Sequence, residues 1–284
     1  MITMENNKNI LVMGASGNQG NAVAKSLLSN GWIVHAMTRN PNQSAIKELE
    51  QDGAVIVQAD MNDKQSLVEA MENVYGVYSV LSFDPKDPDK EVQQGKMVAD
   101  VAKQVGTTHF VYGSAAGAEK YSGADNFASK WQIEEYIRAL DLPYTILRHT
   151  FFMENFTGFA KVQDDKIVMQ GFMDSEIPLQ MLAVQDIGTF TAITFSQPKQ
   201  YIGKAMELAG EEITLNEIAK KLSEKFEVSC EIVDARKKFQ QMMKMFEWFE
   251  YEGYEANIAE LRKVNPQLLN FDAWLQQLEW KDFT

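Results

Sequence analysis

Hydrophobic and polar positions alternate in two rhythms along the first half of the chain. Short apolar runs that read as strands occur at Asn9–Met13, Ile33–Met37, Ala54–Gln58, Val77–Leu81, Phe110–Gly113 and Tyr144–Leu147, the last introduced by Pro143. Between them the pattern is helical, over Asn21–Ser29, Ser44–Asp52, Lys64–Asn73, Asp89–Val105 and Phe127–Leu140. Gly31 fits the stop of the first helix. Strands alternating with helices predict parallel pairing, right-handed crossovers and helices on both faces. The expected fold class is α/β, a Rossmann-like doubly wound parallel sheet over residues 1–150.

The rhythm changes after Thr150. Phe151-Phe152-Met153-Glu154-Asn155-Phe156 is unusually aromatic. Ile177–Val184 reads as a strand or extended loop, and Gln185–Phe195 as a helix with Asp186 near its start. Thr214–Phe226 is a helix opened by Thr214 with Glu217 three residues on, a capping box. Lys237–Glu252, Tyr254–Val264 and Asp272–Gln277 are further helical stretches. Residues 151–284 are therefore expected to form a smaller, mainly helical C-terminal domain for a substrate or partner. A segment near 180–205 is expected to be shared with the sheet.

The first strand runs into Gly14-Ala15-Ser16-Gly17-Asn18-Gln19-Gly20, and a helix follows. Glycine spacing alone is shared with ordinary turns, but this turn joins a strand to a helix. There glycine lets backbone N–H groups approach a pyrophosphate, and the helix N-terminus adds partial positive charge. A dinucleotide is the expected ligand. The second strand ends in Thr38-Arg39-Asn40, where an acid would hold the ribose hydroxyls of NAD. No acid is present, and Arg39 suits the 2′-phosphate of NADP. NADP(H) is thus expected over NAD(H), against the plainer reading of Arg39 as a surface arginine. Asp60 ends the third strand; it is a candidate for the adenine side, for capping the next helix, or for both. Ser82, Ser114 and Lys130 complete the candidate cofactor-binding set.

Catalysis is the harder question. Ser114 ends the fifth strand, and Lys130 follows on a helix. Short-chain dehydrogenases pair such a serine with a tyrosine and a lysine four residues apart, one helical turn. Asn126 stands where the tyrosine would be, so that proton donor is missing. Tyr121 is near in sequence but out of helical register. Lys130 is a candidate ribose ligand or acid/base; equally, Lys130, Glu134 and Arg138 read as a solvated i, i+4 charge ladder. His149 lies just past the sixth strand, and a lone histidine is more often structural. Phe151, Phe152, Met153 and Asn155 are candidates for a substrate pocket, with core packing the commoner fate of such a run. Phe246, Trp248, Phe249 and Tyr254 read as packing or an interaction surface.

Composition narrows the classes. The 284 residues are 45% hydrophobic and 24% charged, as in a globular protein with a sizeable core. Forty acids against 27 bases leave a net charge of -13, which disfavours direct nucleic-acid binding. The most basic stretch, Arg236-Lys237-Lys238, is short and close to Glu231 and Asp234. One cysteine, Cys230, allows neither an internal disulfide nor a multi-thiolate zinc site, and three histidines give no metal cluster. A polar N-terminus and the lack of a ~20-residue apolar run predict a cytoplasmic protein with no membrane span.

The chain resembles the NmrA-like family, an atypical branch of the short-chain dehydrogenase/reductase superfamily. The resemblance rests on Gly14–Gly20, Thr38-Arg39-Asn40, Asp60, and the segment Phe127–Asn155 with Lys130, Pro143-Tyr144-Thr145 and Arg148. It extends through Val184-Gln185-Asp186-Ile187-Gly188, Leu208-Ala209-Gly210-Glu211 with Thr214, and Asn265-Pro266 to Trp274-Leu275, nearly the whole chain. The family implies a Rossmann domain, a small C-terminal domain with a cleft between them, and NADP(H) binding without the tyrosine. Some members sense the NADP(H) state and act on regulatory proteins. Others reduce quinones or other small apolar acceptors, and in the plant reductases a lysine at the position of Lys130 is the acid/base.

Overall fold

The predicted alternation is realised through the first half of the chain. The computed structural model describes residues 8–120 and 125–284, with side chains at all of these except positions 88, 125 and 126. Tyr121 and the side chain of Asn126 lie outside the described residues. In chain order the elements are β1 (Asn9–Val12), α1 (Asn18–Ser29), β2 (Ile33–Thr38), α2 (Ser44–Gln51), β3 (Val55–Gln58), α3 (Lys64–Met71), β4 (Gly76–Ser79), α4 (Pro88–Val105), β5 (His109–Ala115), α5 (Asp125–Ala139) and β6 (Tyr144–His149). There follow β7 (Phe151–Phe152), α6 (Phe156–Phe159), β8 (Ala160–Gln163), β9 (Lys166–Gly171) and β10 (Leu179–Leu182). The remainder is α7 (Val184–Ser196), α8 (Pro198–Tyr201), β11 (Lys204–Leu208), β12 (Glu211–Ile213), α9 (Leu215–Phe226), β13 (Cys230–Asp234), α10 (Met243–Tyr251), α11 (Ile258–Val264) and α12 (Phe271–Leu275).

Two compact units divide the chain. The first runs to Glu119 and takes in Asp125–Arg148 and Gln185–Met206. Its seven-stranded sheet has the order β11-β6-β5-β4-β1-β2-β3, with β1–β2, β1–β4, β2–β3 and β4–β5 parallel. The order reverses at β1, which lies between β4 and β2; ligands of such sheets bind at the carboxyl ends beside this reversal. On one face Leu11, Met13, Phe110, Tyr112 and Ile146 pack with Leu67 of α3, Val98 of α4 and Ile133 of α5, all within 1% of full burial. Elsewhere α7 lies so close to α1 that a Cβ on Gly188 would sit 2.4 Å from the Ala22 carbonyl oxygen. The Asp-Ile-Gly motif thus carries a packing requirement: at position 188 only glycine fits.

The second unit comprises His149–Val184 and Glu207–Thr284, with Lys120. It contains helices α9 to α12, as expected, and two three-stranded sheets, β12-β10-β7 and β13-β9-β8, of which the sequence pattern announces only β10, within the extended stretch 177–184. The expected helix at 237–252 is a 3-10 segment, Arg236–Met242, kinked at Phe239, followed by α10. Phe151, Phe156, Phe159, Phe172, Phe246 and Phe249 pack ring against ring with centroids 4.7 to 6.4 Å apart. Among the described residues no helix is long and apolar enough to cross a membrane.

Candidate functional site

The glycine turn sits at the carboxyl end of β1, beside the reversal in strand order. Gly14 has φ +64°, a conformation that favours glycine, and the Gly17 N–H donates to its carbonyl at 2.9 Å. A Cβ on Gly20 would lie 2.2 Å from that same carbonyl oxygen. Turn and helix therefore approach closely only because both positions lack side chains. Gly17 caps α1 with no side-chain hydrogen bond, so no capping side chain occupies the first-turn amides. Ser16, Gly17 and Asn18 are exposed, and the buried Gln19 Oε1 has no hydrogen-bond partner. Open amides and a glycine cradle fit a pyrophosphate at the positive end of α1.

Arg39 lies one residue beyond β2, exposed, and makes no ion pair among the described residues. The turn below it is fixed by Thr38 Oγ1, which accepts from the Asn40 N–H at 3.1 Å. Asp60 is half-buried, and its Oδ1 accepts from the backbone and side-chain nitrogens of Asn62 at 2.9 and 2.8 Å. The cap of α3 is Asp63, which accepts from Gln65 and Ser66. Ser82 is exposed just past β4.

Ser114 and Lys130 are held by buried carboxylates that sequence reasoning missed. Ser114, 3% exposed, donates from Oγ to Glu134 Oε1 at 2.6 Å. Glu134 is fully buried between Arg138 and Arg148, at 2.9 and 2.8 Å. Arg148 also pairs with Glu119. The solvated ladder expected of Lys130, Glu134 and Arg138 is thus corrected: only the Glu134–Arg138 step forms, and it points inward. Lys130 pairs instead with Glu91, whose side chain is fully buried, and donates to the Leu81 carbonyl at 3.3 Å. Glu91 Oε2 accepts from Ser129 Oγ at 2.6 Å. Tyr112 is no substitute for the missing tyrosine. It is buried in the core, and burial, then the nearby carboxylates of Glu91 and Glu134, push its phenol well above the ordinary range.

In the second unit His149 is 4% exposed, with its ring 6.1 Å from that of Phe152. Phe151 and Met153 belong to the core, at 6% and 0% exposure. Phe152 is half-buried and Asn155 exposed. Asn155 lines a cavity of about 360 Å³ with Glu154, Thr157, Phe159, Gln170 and Phe239. Glu154 Oε1 accepts from the Val184 N–H at 3.0 Å and the Trp274 indole at 3.2 Å, while burial pushes its pKa up. The run Phe246, Trp248 and Phe249 is buried packing.

Fold and glycine turn together define a Rossmann-like α/β protein with a dinucleotide-type turn. The sequence profile of the NmrA-like family matches residues 6–280, and the chain belongs to that family. An NmrA-like family domain-containing protein of Dictyostelium discoideum is 25% identical, aligned over 96% of this chain and 99% of its own. Many solved structures share the fold, among them a regulator and a reductase. NmrA, a negative transcriptional regulator in complex with NADP, superposes with a TM-score of 0.80 at 19% identity, covering 97% of this chain and 99% of that one. The NADPH-dependent quinone oxidoreductase of Escherichia coli, complexed with NADPH, gives 0.79 at 20% identity over 95% and 98%.

Proposed function

We infer that the protein binds NADP(H) at the 14–20 turn and acts as a sensor of the NADPH/NADP+ state through a regulatory protein partner. The observation carrying this reading is a pairing: the turn is open for a pyrophosphate, while the groups that would move a proton are otherwise engaged. Asn126 replaces the tyrosine, Ser114 donates to Glu134, and Lys130 is held by Glu91. Gly14, Ser16, Gly17, Asn18, Gln19 and Gly20 would hold the pyrophosphate, and Arg39 the 2′-phosphate. Asp60 and Ser82 flank the same edge. The family includes NADP-bound NmrA, itself a regulator, which agrees with the reading.

A second reading is an NADPH-dependent reductase of a quinone or other small apolar acceptor. Bound NADPH supplies the hydride in such chemistry, and a quinone tolerates a weak proton donor. Lys130 retains 14% side-chain exposure, which leaves its ammonium within reach of a bound nucleotide. The experiment is titration calorimetry with NADPH and NADP+, paired with NADPH oxidation across a quinone panel. Binding without turnover supports the sensor; steady turnover with any acceptor refutes it in favour of the reductase.

A further inference from the structure

Glu91 occupies the first turn of α4, where an acid normally faces solvent and complements the helix dipole. Here it turns inward and is 1% exposed. Both of its oxygens are engaged, Oε1 by the Lys130 ammonium and Oε2 by the Ser129 hydroxyl. A buried carboxylate is tolerated only with such partners, so the pair is locked in place.

The ammonium is also located. Its bond to the Leu81 carbonyl ties it to the end of β4, and Val80 there lies against Gly14, with Cγ1 2.9 Å from where a Gly14 Cβ would stand. Lys130 therefore sits at the carboxyl edge beyond β4, the strand that pairs with β1. Arg39 lies on the other side of the turn, beyond β2. With the pyrophosphate on α1 and the adenosine end toward Arg39, the nicotinamide end falls on the β4 side, toward Lys130. An ammonium has three N–H donors; two are used, and the third is uncommitted among the described residues.

NADP+ and NADPH differ chiefly in a positive charge on the nicotinamide ring. We propose that Glu91, acting through Lys130, sets the preference of this site between the two oxidation states. This rests on the dinucleotide-binding reading above. Lys130 alone would repel the oxidised ring; Glu91, paired with it, offsets that charge. The neighbouring carboxylate Glu134 does not share the task, because Arg138 and Arg148 already neutralise it. Glu91 is thus a positioning and charge-setting residue rather than a ligand.

The test is calorimetric titration of the full chain with NADPH and with NADP+, for wild type, Glu91→Gln and Lys130→Met. Glu91→Gln is expected to raise the ratio of the NADP+ to the NADPH dissociation constant about tenfold, the scale of one charge at close range. Lys130→Met leaves Glu91 unbalanced and is expected to lower the ratio. A ratio within about twofold of wild type in folded Glu91→Gln overturns the proposal. Should Glu91→Gln not fold, an unmoved ratio in Lys130→Met overturns it equally. Wild type binding neither nucleotide removes the dinucleotide reading itself; wild type binding both, with ratios unmoved, removes only the role of Glu91.

Discussion

At the scale of single residues, Arg39 and Glu91 show what a sequence does and does not disclose. Arg39 is legible because its meaning depends on position: it follows a strand at the one place where an acid would signal NAD. Replacing it with alanine is expected to weaken NADPH by more than about tenfold, the loss of a charged hydrogen bond, and NADH much less. Equal losses in titrations of both nucleotides would show that Arg39 does not meet the 2′-phosphate. Glu91 and Glu134 were hidden because acids in a helix's first turn and in i, i+4 ladders are ordinary surface features. Only burial against Lys130 and Arg148 reveals them. His109 illustrates the same point with a measurable consequence. It is fully buried, with Nε2 2.8 Å from Thr145 Oγ1, and burial lowers its pKa to about 4. The native histidine stays neutral while the unfolded chain takes up a proton near pH 6.5, so stability falls as pH drops between 6.5 and 4. The loss by pH 5 is about 2 kcal/mol. Urea unfolding at pH 7 and pH 5 is expected to show a smaller drop for His109→Gln than for wild type.

Elements were legible where their signals are local. Thr214 accepts from the Glu217 N–H at 3.1 Å, and Glu217 accepts from the Thr214 N–H at 2.8 Å, the reciprocal cap expected from four residues of sequence. Thr214→Ala is expected to cost about 1 kcal/mol in chemical unfolding, and Thr214→Ser much less. An unchanged unfolding midpoint in the alanine variant would mean the cap contributes nothing. The second unit's sheet β13-β9-β8 was not legible, for two physical reasons. The β8–β9 hairpin turns on Asp164-Asp165, at φ +48° and +62°, where the usual signal is Asn-Gly. Strand β13 pairs with β9 in parallel across some sixty residues of chain, and three of its five residues are exposed, so no buried period marks it. Phe239, at φ -110° and ψ 32°, breaks a helical pattern that hydrophobic spacing alone would continue. The Asp-Ile-Gly segment carries a different lesson. It was legible as a family signature, yet its glycine serves the contact of α7 with α1 rather than a ligand.

For the whole molecule, sensing imposes a thermodynamic condition that binding alone does not. A nucleotide shifts a partner equilibrium only by its differential affinity for the free and partner-bound protein, and the coupling is reciprocal. If NADPH and NADP+ bind with the same coupling, the protein reports nucleotide concentration and never its oxidation state. The net charge of -13 disfavours both anionic nucleotides, and NADPH by one unit charge more than NADP+, but salt screens so long-range a field. Strong discrimination therefore calls for local charge at the carboxyl edge of the sheet. Hydrogen exchange provides the measurement. With either nucleotide saturating, amides of residues 14–20 are expected to gain protection equally, since both forms carry the same pyrophosphate. A sensor is further expected to differ between the two states at segments away from that turn, Leu81–Ser82 and the start of α4 among them, where the charge of the ring meets Lys130 and Glu91. Identical exchange throughout the chain in the two states would leave a partner nothing to distinguish. The sensor reading would then fail, while NADP(H) binding itself would stand.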